Sequence, residues 1–146
     1  MELSFPRSQM RFEFLLLVGL SVGSPAQAGS ESEACIQTKT WSHYETGWAL
    51  RTSTTSEIEA GAYHSFAATL YGGREYMFEI CGDSKATLID LVLYGRDGKE
   101  IARAKPNGRE PVLEFKPEQT QGVFVVAQLR AAKASSADVA LVILHR

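Results

Sequence analysis

What this sequence lacks narrows its function before any motif is read. Of its 146 residues only three are histidine and two cysteine. His43, His64 and His145 lie far apart and form no zinc spacing. Fifteen basic residues against seventeen acidic ones give a net charge of −2. There is no basic surplus to draw nucleic acid, and no polybasic run to seek a membrane surface. A Gly-x-Ser-x-Gly elbow and a dense Asp-x-Asp-x-Asp calcium loop are both missing. A Ser/His/Asp triad gathered from distant positions stays open. So does a pair of facing carboxylates, although a chain this rich in acids places some pair together whatever it does.

What is present begins with an export signal. Arg7 and Arg11 precede the apolar run from Phe14 to Val22, and Ala26–Gln27–Ala28 offers small residues at the cleavage positions. The run falls short of the roughly 20 apolar residues that span a bilayer. Met1 and Met10 both provide a start for it. Cleavage after Ala28 removes two arginines and two glutamates and leaves 118 residues at the same net charge. No membrane-spanning segment is expected in the mature chain, which is one domain of ordinary size. Its location is periplasmic or secreted, an oxidising place, where Cys35 and Cys81 are expected to pair. Two free buried thiols and an intermolecular bridge are the alternatives. A bridge would close a loop of about 46 residues, which loop entropy converts to on the order of 4 kcal/mol.

Residues 29–34 are small and polar and read as a loose leader. From Ile36 to Thr55 two signals compete. Trp41, Tyr44 and Trp48 have helical spacing, whereas the threonines and aromatics favour a strand. Extended structure is expected from Gly47 to Thr54. From Ala62 onward the alternation is that of strands. Phe66, Ala68 and Leu70 share a face. Tyr76, Phe78 and Ile80 face one way, Glu75 and Glu79 the other. Ile89, Leu91 and Leu93 alternate with Asp90, Val92 and Tyr94 before Gly95–Gly98, a hairpin signal. The runs 123–129 and 139–144 are the most apolar and are expected to be central, joined by a small-residue loop or short helical turn over 130–138. Seven or eight strands with turn chemistry between them read as an all-β fold, an antiparallel β-sandwich.

Residues 56–146 resemble the bacterial pre-peptidase C-terminal domain, a β-sandwich of jelly-roll type. The resemblance rests on order. An aromatic strand (62–70) leads into "YGGREYMFEI", then "IDLVLYGRDGKEIA", then "LEFKPEQTQGVFVVAQL". Residues 29–55 would add the leader and first strand to the same domain. The resemblance implies a location outside the cytoplasm, no catalysis by the domain itself and service as an accessory to a secreted enzyme. No cofactor is expected. Asp90 matches the aspartate of the family's central block and is read as structural, and Asp97 is needed for the hairpin turn. Calcium is the alternative, since collagen-binding relatives of the family use it, with Asp83, Asp90 and Asp97 as its candidate ligands.

The resulting expectation is an exported binding module for a protein or a polysaccharide, acting through surface loops. Trp41, Tyr44 and Trp48 are the first candidates for contact, since Trp and Tyr bring large area and a polar tip. Capping the end of the core is their competing role. A small secreted hydrolase using loop carboxylates is the alternative function. A subunit that polymerises by edge pairing is a further one, and it would need a long edge strand without Lys, Pro or a bulge.

Overall fold

The protein is described by a computed structural model over residues 30–146. The export signal expected at 1–28 lies outside the described residues. One helix, α1 (Ser30–Tyr44), precedes eight strands. They are β1 (Ala49–Glu59), β2 (Tyr63–Leu70), β3 (Tyr76–Gly82), β4 (Ala86–Gly95), β5 (Glu100–Arg103), β6 (Val112–Phe115), β7 (Gln121–Ala132) and β8 (Ser136–His145). They form two antiparallel four-stranded sheets, ordered β1-β8-β3-β6 and β2-β7-β4-β5. The antiparallel sandwich expected from the alternation is what the chain adopts. The two most apolar strands, β7 and β8, take central positions, where both edges of the strand are paired, and β8 is buried on both faces as well.

The inward faces meet in one core. Phe78 and Ile80 of β3 and Leu141 and Ile143 of β8 pack against Ile89, Leu91 and Leu93 of β4 and Val125 and Leu129 of β7. Helix α1 builds a second apolar layer on the far side of the first sheet. Ile36 and Trp48 cover Met77, Cys81, Ala140, Val142 and Leu144 there. Every residue of β3 is therefore buried, on both faces. The bridge between Cys35 of α1 and Cys81 of β3, with Cα atoms 6.1 Å apart, fixes the helix to that face.

Two local expectations need correction. Residues 30–34 are not a loose leader, because α1 starts at Ser30. Glu31 and Glu33 in its first turn and His43 in its last suit the helix dipole. The helix is hard to read from sequence because Ser32, Ile36 and Thr40, the buried positions of its inner face, are mostly polar. Thr40 satisfies its hydroxyl within the helix, donating to the Ile36 carbonyl at 2.8 Å. The extended structure expected from Gly47 to Thr54 is met by β1, which runs from Ala49 to Glu59. Finally, there is neither a long loop nor a helical turn over 130–138. β7 continues to Ala132 and β8 starts at Ser136.

The β4–β5 hairpin has the anticipated chemistry. Gly98 takes φ +78°, Gly98 N–H donates to the Gly95 carbonyl at 3.0 Å, and Asp97 accepts from Lys99 N–H at 3.0 Å. No helix among the described residues is long and apolar enough to cross a membrane.

Candidate recognition surface

The two outer faces of the sandwich differ. α1 covers that of the first sheet, and the charged groups beneath it are paired. Glu79 points outward from β3 yet is only 4% exposed. Its carboxylate meets His43 Nε2 at 2.8 Å and Lys39 Nζ at 3.4 Å, and Lys39 also reaches Glu110 at 3.6 Å. The aromatic trio at 41, 44 and 48 is split by this packing. Trp48 is 5% exposed, under the helix, with the Arg146 guanidinium 4.3 Å from its ring centroid. Trp41 and Tyr44 stay outside, 69% and 39% exposed, meeting edge to face at 5.3 Å. The helical spacing holds for Trp41 and Tyr44 but not for Trp48, because the helix ends at Tyr44.

The outer face of the second sheet has no such cover. Strand register arranges its side chains in cross-strand rows. Tyr63 stands beside Gln128 and Asp90, and Ser65 beside Val126 and Val92. Ala67 stands beside Phe124 and Tyr94. Tyr63 is 67% exposed and Phe124 39%. A hollow of about 360 Å³ lies among Tyr63, Tyr94, Phe124 and Val126. On the other side of Phe124 a second hollow, about 420 Å³, is lined by Ala67, Thr69, Gly122 and Arg96. Gly122 matters to the second, since a Cβ there would sit 2.0 Å from Arg96 Nε. The missing side chain lets the arginine of the hairpin lie across β7. Among the described residues Arg96 makes no ion pair.

The candidate carboxylates go to separate places. Asp90, in mid-β4, sits on this same outer face, 3.3 Å from Arg130 and 3.7 Å from Arg103. Arg103 also binds Glu100, whose hydrogen bond holds the guanidinium's pKa above its usual value. Asp83 is buried at the β3–β4 turn, accepting from Lys85 N–H at 2.9 Å and Asp138 N–H at 3.1 Å. Asp97 belongs to the β4–β5 hairpin. Asp138 lies near Asp83 and Glu57, and desolvation followed by these two charges pushes its pKa up. Among the described residues, one set of three potential metal-binding side chains has donor atoms within 4.8 Å of each other: Cys35, Cys81 and Glu110. Its sulfurs are joined to each other, so it offers no thiolate. His64 stacks on Phe66 at 4.4 Å, and His145 lies in β8, paired with Tyr76 of β3.

No protein-family model and no curated protein matches the sequence. Solved structures do match the fold. One is the pre-peptidase C-terminal domain of a collagenase from Bacillus anthracis, with a TM-score of 0.51 and 12% identity over 64% of this chain and 89% of that one. Another is a periplasmic inhibitor of g-type lysozyme from Aeromonas hydrophila, with a TM-score of 0.51 and 10% identity over 69% of this chain and 90% of that one. The fold is a pre-peptidase C-terminal-like β-sandwich. At such identities the likeness is one of backbone, and the side chains of the outer faces are this chain's own.

On this pre-peptidase C-terminal-like sandwich, sequence reasoning misses two groups. Glu79 reads as an outward acid, which it is. Its burial is signalled by Cys81 two residues on, which shares that face and is expected to bind Cys35. Whatever carries Cys35 therefore has to cover Glu79. Tyr63 and Phe124 each read as strand residues without a face. Only the pairing of β2 with β7 sets them on one surface.

Proposed function

We infer that this chain is a non-catalytic protein-recognition module acting outside the cytoplasm, and that it offers the outer face of sheet β2-β7-β4-β5 to its partner. The observation that carries this reading is the contrast between the faces. One is sealed by a disulfide-tied helix. The other leaves Tyr63, Phe124, Tyr94 and Val126 in adjoining rows, rimmed by Arg96, Arg103 and Arg130. Aromatics and arginines are the side chains in which binding energy concentrates at protein interfaces. A contiguous apolar patch rimmed by polar groups marks such an interface. The unpaired Arg96 favours a partner with an acidic residue opposite it. The disulfide and the export signal support a periplasmic or extracellular setting. Two sandwiches of this fold, one a periplasmic enzyme inhibitor and one a domain of a collagenase, support binding rather than turnover.

A photo-cross-linking residue placed at position 63, in cells exporting the protein, tests this. A discrete protein adduct is expected. The variant Phe124→Ala should weaken it at least about tenfold, the scale of a central aromatic anchor, while the melting temperature stays close to that of the parent. An adduct unaffected by Phe124→Ala, or one that forms only from position 41, overturns the reading. Clearing of a cell-wall suspension by a g-type lysozyme, with and without the protein, asks whether the partner is of the class bound by the Aeromonas inhibitor. A second reading rests on the exposed Trp41–Tyr44 pair, which suits stacking on a sugar ring. Glycan titration followed by tryptophan fluorescence, lost in Trp41→Ala, would favour it.

A further inference from the structure

The far end of β1 carries a feature that neither outer face explains. Leu50 pairs with Leu144 and Thr52 with Ile143, so Arg51 is an extra residue in the strand, a β-bulge. Bulges re-aim side chains and recur beside binding sites. Here the bulge reverses the face of the strand. Leu50 lies opposite Leu144 of the outer layer, whereas Thr52 and Thr54 lie opposite the core residues Ile143 and Leu141. With Thr52 and Thr54 at its rim, the sandwich is not closed between edge strands β1 and β2. A seam of about 540 Å³ opens there, lined by Arg51, Thr52, Thr54, Ser65 and Phe66, with Leu141 and Ile143 at its base. A pocket of about 450 Å³ lies on the other side of Arg51, lined by Tyr71, Arg74, Tyr76 and His145.

Arg51 is half-buried, and its Nη1 is shielded from solvent without a hydrogen-bond partner. The guanidinium lies 5.7 Å from the Tyr71 ring centroid and 5.6 Å from that of Tyr76. Those ring faces offset part of the charge, but they do not replace a hydrogen-bond acceptor for the buried N–H. The Tyr76 side chain is itself fixed, since its Oη accepts from the Tyr71 backbone N–H at 2.8 Å. Arg74 donates from Nη1 to His145 Nδ1 at 3.3 Å. A guanidinium only donates, so Nδ1 accepts and the imidazole carries its hydrogen on Nε2. Two guanidiniums and an imidazole thus line one pocket, and among the described residues neither Arg51 nor Arg74 is paired with a carboxylate.

We propose that Arg51, Arg74 and His145 form a binding site for the oxyanion group of a small ligand, a carboxylate or a phosphate, with Tyr71 and Tyr76 as its walls. The guanidinium fork matches the two oxygens of either group. This site is separate from the outer face of β2-β7-β4-β5 and stands or falls without it.

The test is a titration of the intact exported chain, following the arginine Nε–H resonances by NMR, with inorganic phosphate and with citrate at constant ionic strength in sodium chloride. Saturable movement of the Arg51 and Arg74 signals is expected with at least one of them. The arm that saturates earlier distinguishes phosphate from carboxylate. Arg74→Gln, at an exposed position, should leave the fold intact and weaken binding at least threefold. Arg51→Gln should weaken it at least tenfold. Where Arg51→Gln fails to fold, the Arg74→Gln result decides. Movement that follows neither anion, that tracks chloride equally, or that persists unchanged in Arg74→Gln overturns the proposal.

Discussion

His43 and Glu79 meet at 2.8 Å beneath the helix, one from the last turn of α1 and one from the outward face of β3. A buried carboxylate loses its hydration and is tolerable only while its partners remain. His43→Ala should therefore destabilise the protein by about 1–3 kcal/mol. Replacing both residues by leucine should recover most of that loss, since the desolvated charge is then gone. Urea denaturation of His43→Ala, of the single variants His43→Leu and Glu79→Leu and of the double leucine variant measures the coupling. Additive losses would show that the pair does not act as a unit.

The disulfide between Cys35 and Cys81 spans 46 residues and joins α1 to the sheet. Its reduction should cost about 2–4 kcal/mol. The loss should appear first as faster amide exchange in α1, while the inter-sheet core keeps its protection. Denaturant midpoints and hydrogen exchange, each with and without reductant, check both parts.

The tryptophans should respond in opposite ways. Trp48 fills the layer under the helix, so Trp48→Ala should cost about 3–5 kcal/mol, as for other large core truncations. Trp41 is exposed, and Trp41→Ala should change stability by no more than about 0.5 kcal/mol. Thermal melts of the two variants decide.

Asp138 titrates to the detriment of the fold. Its pKa is raised in the folded state by desolvation, then by Asp83 and Glu57. The folded protein therefore holds that proton more tightly than the unfolded chain. Stability falls as pH rises from the ordinary value of 3.8 through the folded one. Asp138→Asn should raise stability at neutral pH by a few tenths of a kcal/mol, a figure kept small by solvent screening. That advantage should vanish near pH 3, where both side chains are neutral. Urea midpoints of the two proteins at both pH values check the sign.

Much of this fold is written locally. Alternation in 76–80 and 89–93 names the inward residues Tyr76, Phe78, Ile80, Ile89, Leu91 and Leu93, all buried. Period two assigns faces without knowledge of the partner strand. The Asp97–Gly98 turn is legible because its chemistry lies within four residues. α1 is not, because its buried face relies on Ser32, Thr40 and one disulfide rather than on an apolar stripe. Nor is the Arg51 bulge, which exists only relative to the register of β8.

The sequence by itself settled the strand character of the chain, the identity of its inward residues and the two strands at the centre. Those come from side-chain period and from the cost of leaving long apolar runs in water. The tertiary structure alone decided which outward face is covered, which acid is buried and which arginines stand together. Those are relations between segments distant along the chain, set when α1 closes over β3 and when β1 and β2 stop short of sealing the sandwich.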